Sequence, residues 1–167
     1  MNFLPENLYR PTDDAARGLA QQILANARHA ALGTLHPDCP PASLVPVVIR
    51  VAVAPAGRGA VVMLVSALSL HSRAMRRNGA VSVLLGDVTA KGDALTQPRL
   101  TLVGTARFFD GDAADHAHLR KLWLKHQPKA AVYVDLPDFS FVTVEPVQAF
   151  LNAGFGRAYL FEQIDLT

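Results

Sequence analysis

The sequence predicts a mainly β domain, a small closed antiparallel barrel with peripheral helices. Two observations carry that prediction. Runs with strand character dominate and mostly follow one another directly, and only two strongly helical stretches interrupt them. The chain has 167 residues, of which 50% are hydrophobic and 18% charged, which suits one domain with a real core and excludes a disordered chain. We expect a single domain over 1–167, with a helix at about 12–30 and the barrel at about 30–161.

The elements follow in order. "RPTDDAARGLAQQILANARHA" reads as a helix capped by Thr12, with Asp13 and Asp14 at the positive end of its dipole. Ala16, Leu19, Ala20, Ile23, Leu24 and Ala27 recur at helical spacing and form its packing face. "AALGTLH" (30–36), "ASLVPVVIRVAVA" (42–54) and "AVVMLVS" (60–66) read as three strands of a meander. Pro46 cannot donate to a ladder, so a bulge or a side without a partner is expected there. A short helix (67–78) leads to "AVSVLLGD", then the polar loop "VTAKGDALTQ", then the alternating strand "PRLTLVGTARFFD" (98–110). "GDAADHAHLRKLWLKHQ" is a second strong helix, stopped by Pro128. "FSFVTVEP" and "VQAFLN" finish the sheet, and "AGFGRAYLFEQI" turns into a last extended piece. No internal repeat is visible, and neither common nucleotide-binding glycine fingerprint occurs.

Composition narrows the function. A net charge of +2 with locally clustered arginines does not describe a nucleic-acid-binding face. The single cysteine, Cys39, permits no intrachain disulfide and has no zinc-type companions. "MNFLPENLYRPTDD" lacks a signal-peptide pattern, and the longest apolar run, Leu44 to Ala54, is interrupted by Pro46 and Arg50. We expect a cytoplasmic protein with no membrane segment.

One stretch demands a chemical reading. "SALSLHSRAMRRN" (66–78) holds three serines, one histidine and three arginines, with no acid. As a helix from 69 it places Ser69, Ser72, Arg73 and Arg76 on one face and points Leu70 and Ala74 toward a core. First-turn N–H groups, the hydroxyls of Ser66, Ser69 and Ser72, and the planar fork of Arg73 describe an anion pocket the size of a phosphate monoester. A solvated basic helix with ordinary caps is the competing reading, and Arg76 and Arg77 fit it. His71 suits a hydrogen bond to phosphate or to a carbonyl better than a metal, having no companion ligands nearby. His116, His118 and His126 read as a wet helix face, and His29 and His36 as structural. Asp110, Asp112, Asp115, Asp135 and Asp138 fall where capping explains them. No nucleophile constellation is visible, so catalytic residues are unknown, and any redox chemistry would need a cofactor.

"ASLVPVVI", "LVSALSLHSRAMRRN", "VSVLLGD", "QPRLTLVGTARFF", "LPDFSFVTVEP" and "GFGRAYLF" occur in that order. This ordered set, over roughly residues 15–161, resembles the FMN-binding split-barrel proteins related to pyridoxamine 5′-phosphate oxidase. Within them it is most similar to the haem-utilisation branch. The resemblance implies an antiparallel split β-barrel of the FMN-binding type and a homodimer with FMN at the subunit interface. It implies that Ser43, Leu44 and Val45 run beside the flavin and that Ser66, His71, Ser72 and Arg73 hold its phosphate. It places Arg99 near flavin or phosphate and Arg157 over the ring. The chain departs from the resemblance at Ala74, where an asparagine is frequent. It also lacks the C-terminal Arg and His that grip vitamin B6, and it has no histidine after His126 to ligate haem iron as haem-degrading relatives do. The expected function is a flavin-dependent oxidoreductase acting on a small molecule. The alternatives are a haem-binding or haem-degrading protein on the same fold, and a cofactor-free binding domain.

Overall fold

A computed structural model describes residues 8–36, 43–55, 60–86 and 92–162. Cys39 lies outside the described residues. Helix α1 (Asp14–Asn26) precedes strands β1 (His29–His36), β2 (Ser43–Arg50), β3 (Ala52–Val53) and β4 (Val61–Ser66). Helix α2 (Leu70–Arg77) leads to β5 (Ala80–Leu85) and β6 (Arg99–Phe108). Helix α3 (Ala113–His126) leads to β7 (Phe139–Asn152) and β8 (Ala158–Phe161). All the strands join one eight-stranded sheet in the order β2-β1-β5-β6-β7-β4-β3, with β8 also paired to β7. Every strand pair is antiparallel. This is the mainly β split barrel with peripheral helices that the sequence predicts.

α1 starts one residue later than expected. Asp13, not Thr12, is its cap, accepting from Ala16 N at 2.7 Å. Ala16, Ala20 and Leu24 bury one face against the barrel core. That core holds Leu32, Val61, Met63, Val83, Leu100, Leu102, Val142 and Leu151.

β4 is buried along its whole length because it serves two cores. Val61, Met63 and Val65 face the barrel; Val62 and Leu64 join Phe141, Leu119 and Trp123 under α3. A strand covered on both faces has no polar positions to alternate, hence the unbroken "AVVMLV".

The expected three-strand meander breaks. β1 and β2 form a hairpin, but the ladder stops at Arg50. Val51 N donates instead to Arg28 O at 3.1 Å, and the short β3 pairs with β4, which goes on to β7. β2 is therefore an edge strand, where a proline without an N–H is tolerated, and Pro46 sits in register opposite Gly33.

β7 is one 14-residue strand rather than two. Val147 is the extra residue of a bulge: Gly104 pairs with Pro146 while Val103 pairs with Gln148. The ladder absorbs one residue at the point where the pattern suggested a break. On its other edge β7 is shared, β4 taking 139–144 and β8 taking 149–152.

Candidate functional site

α2 is capped by Ser69, whose hydroxyl accepts from Ser72 N at 3.3 Å and donates to Ser66 O at 2.8 Å. The helix buries Ser72, Ala74 and Met75 and leaves Leu70 59% exposed. Leu70 is thus not a core residue, and Ser72 lies on the buried face rather than beside Arg73. Ser72 Oγ is fully buried without a hydrogen-bond partner. Leu68 O, just before the cap, takes a bond from Arg73 Nη2 at 3.2 Å. Arg73 is exposed. Arg76 is not simply solvated: its guanidinium carbon lies 3.9 Å from the centre of the Phe108 ring, and Nη2 reaches Ser140 Oγ at 3.5 Å.

The start of α2 forms one wall of a cleft of about 310 Å³ between the ends of β2 and β4. Val48, Ile49 and Arg50 line it from β2, and Leu64, Val65 and Ser66 from β4. Ser69 and His71 close one end, with Trp123, Tyr133 and Phe139 on the remaining side. Trp123 is anchored in the α3 core, and its Nε1 is buried with no partner.

Two hydrogen bonds set the polarity of this cleft. Ser66 Oγ donates to Asp138 Oδ2 at 2.6 Å, so its proton is held by a carboxylate. His71 Nε2 lies 3.1 Å from Ser69 Oγ. The one hydroxyl proton of Ser69 goes to Ser66 O, so the pattern that fills both contacts has His71 Nε2–H donating to Ser69. Burial holds the His71 pKa below its ordinary 6.5. The ring is therefore neutral at pH 7 and presents a bare Nδ1 lone pair, an acceptor rather than a second donor.

The other expected site residues are distributed as follows. Val45 lies half-buried on β2; Ser43 and Leu44, described by backbone only, stand opposite His36 and Leu35. Arg99 begins β6 opposite Asn152 and donates to Leu95 O at 3.1 Å. Arg157 follows the turn of Gly154 and Gly156, both at positive φ. Ala80, just after α2, pairs with Thr105 near the far end of β6. Within one chain, then, Arg99 and Arg157 stand at the opposite end of that strand from α2. Sequence reasoning missed Arg50, Trp123, Tyr133, Asp138 and Phe139. In the sequence capping explains Asp138, and the aromatic residues come from segments that meet only in three dimensions. Among the described residues no cluster of His, Cys, Asp or Glu is placed to hold a metal ion, and no helix is long and apolar enough to cross a membrane.

This fold has known relatives. One solved structure is 40% identical, with 92% of this chain and 95% of that chain covered and a TM-score of 0.78. A heme binding protein from Mycobacterium smegmatis is 25% identical over 92% of this chain, with a TM-score of 0.77; this chain spans 59% of its length. A protein from Clostridium acetobutylicum related to general stress protein 26, of the pyridoxinephosphate oxidase family, shares the fold at 11% identity. It covers 93% of this chain and 100% of its own, with a TM-score of 0.68. No curated protein matches the chain significantly. The family described as CREG, beta-barrel matches residues 11–165, nearly the whole length, and the chain belongs to it.

Proposed function

We propose that the protein binds FMN in the cleft between β2 and β4 and acts as a flavin-dependent oxidoreductase on a small molecule. The observation that carries this reading is an aromatic and aliphatic slot lined at the start of α2 by Ser66, Ser69 and His71; Arg73, exposed on the same helix, lies outside that lining. The donor set fits a phosphate in one specific way. Arg73 is exposed and held by one side-chain bond, to Leu68 O, which it would give up in turning onto a phosphate, while Ser72 stays on the buried face of α2. Ser72 then supports the site rather than touching the ligand. Val48, Tyr133 and Phe139 would exclude water from the flavin ring, with the Ser43–Val45 segment of β2 alongside. Bound flavin would supply hydride or electron transfer.

Arg99 and Arg157 reach such a ligand only from a second copy of the chain, so the proposal includes a homodimer. Its contact surface is the outer face of the sheet. There the register aligns Val48, Ala31, Leu84, Thr101 and Phe150 in one row across five strands. Val48, on the edge strand β2, is 82% exposed, and Leu84, in mid-sheet, is 41% exposed, leaving an apolar strip uncovered.

The visible absorption spectrum after adding FMN and desalting tests the cofactor, and titration with riboflavin tests the phosphate contact. Retained flavin bands with much weaker riboflavin binding are expected. Absence of flavin bands, or equal affinity for the two, overturns the reading. Sedimentation reporting a monomer at micromolar concentration removes the shared site.

A second reading, haem binding, is favoured by one observation: His71, its pKa lowered by burial, lines a cleft that is otherwise largely apolar. The 25% identity to the heme binding protein supports it. An intense Soret band with haemin that disappears in His71→Ala, without retained flavin, would replace the first reading by this one.

A further inference from the structure

A second cleft, of about 560 Å³, shares the Val48–Arg50 strip and is otherwise lined by Arg28, His29, His126 and Gln127. None of its lining residues is acidic. It holds two guanidinium groups and two imidazoles, brought together from the end of α1, the start of β1, the end of β2 and the end of α3. Gln127, at 6% exposure, ties these segments together. Its Oε1 accepts from Arg50 Nη1 at 2.6 Å, and its Nε2 donates to Arg28 O at 3.2 Å. Arg28 Nη1 donates to Ala25 O at 3.1 Å and Ala27 O at 3.0 Å, which fixes the guanidinium at the end of α1. Both bonds run through one nitrogen of a five-donor group. Arg28 and Arg50 are exposed above the buried Gln127, so the cleft opens to solvent with two positive charges and no acid in its lining, which attracts anions.

We infer that this cleft binds a multiply charged oxyanion, the phosphate or polycarboxylate end of a small-molecule ligand, through Arg28 and Arg50 with His29 and His126. The two clefts share the Val48–Arg50 strip, Arg50 included, but Arg28 and His126 line only this one, so their variants test it separately from the FMN reading. Burial, then the charges of Arg28 and Lys125, already hold His126 below its ordinary pKa, and a bound anion would move it upward.

Calorimetric titration of the full chain with inorganic pyrophosphate and, separately, citrate tests the site. Saturable binding of one anion per chain is expected, and the tighter of the two identifies the ligand chemistry. Arg28→Gln and His126→Gln should each weaken it on the order of tenfold or more, the value of one charge-assisted hydrogen bond. Lys121→Gln, the same charge change outside the cleft, should leave it unaltered. Two variants are used because Arg28 also closes α1 and its loss could disturb the fold. Retention of FMN by both variants separates this site from the other. No saturable binding of either anion, undiminished affinity in both variants, or equal weakening by Lys121→Gln overturns the inference.

Discussion

Replacing Asp138 by asparagine should tighten FMN binding, although it removes a side chain bonded to the proposed site. Asp138 Oδ2 lies 2.6 Å from Ser66 Oγ. A phosphate oxygen sharing that hydroxyl would sit about 2.7 Å from it, so carboxylate and phosphate would approach to about 5 Å. Two unit charges at that distance repel by about 3 kcal/mol at an effective dielectric of ~20 and by just under ~1 kcal/mol at that of water. Both residues are half-buried, which places the penalty between these limits, at about 1–2 kcal/mol. Asp138→Asn removes the charge and supplies an amide Nδ2–H that can donate to Ser66 Oγ, leaving the one hydroxyl proton for the phosphate, so FMN affinity should rise roughly 5- to 30-fold. Quenching of FMN fluorescence during titration measures it. Riboflavin, with no phosphate to repel, should bind both proteins alike. An unchanged or weakened FMN constant, or equal tightening of riboflavin, would refute the placement of the phosphate beside Ser66.

Other outcomes follow from the same geometry. Arg73→Ala should weaken FMN by about 1–3 kcal/mol and change folding stability by less than about 0.5 kcal/mol, because the side chain is exposed; paired ligand titration and urea melts separate the two effects. Gly104→Ala drives a methyl group into the backbone of Glu145 and to 2.8 Å from Pro146 Cα, and should cost about 1–3 kcal/mol or more in a urea melt. His71 and His126 both titrate below 6.5 in the folded chain, so above 6.5 they are neutral in both states and do not affect stability. As pH falls through 6.5 the unfolded chain takes up their protons first, and stability is lost until the folded pKa values are passed. Urea midpoints from pH 8 to 5 should therefore decline more steeply for the natural chain than for His71→Gln; parallel curves would contradict a depressed His71 pKa.

Much of the fold was legible in the sequence because it rests on local pattern. The unbroken apolar run of β4, the alternation of β6 and the caps of α2 and α3 each express a near-neighbour rule. The failures were non-local. Nothing within "ASLVPVVIRVAVA" says that Val51 will bond to Arg28 O and end the β1 ladder, or that β4 will prefer β7 to β2. Ser72 was misplaced by the same limitation. Helical spacing put it with Arg73, but which face of α2 is buried depends on the barrel beneath it. The phosphate reading of 66–78 falls on a helix that borders the cleft, but it does not include Asp138, which is 72 residues away from Ser66 in sequence.

The break after Arg50 is what creates both clefts. Had β2 continued into a full ladder with β4, the Val48–Arg50 strip would have been covered by strand pairing on both edges. Instead β3 carries the chain across to β4 at Ala52, and the strip keeps β1 on one edge only. Its residues then border the aromatic slot beside α2 and the cationic cleft beside α1. Arg50 stands in both, fixed by Gln127 from the end of α3. A ligand in either cleft must meet the same guanidinium, and two anions bound together would share it. Occupation of one cleft should therefore alter affinity in the other by the same factor in each direction, because coupling between binding equilibria is reciprocal. Pyrophosphate titrations at rising fixed FMN concentrations measure that factor: an affinity loss that levels off means two coupled sites, and one that grows in proportion to FMN means that the two ligands compete for a single site.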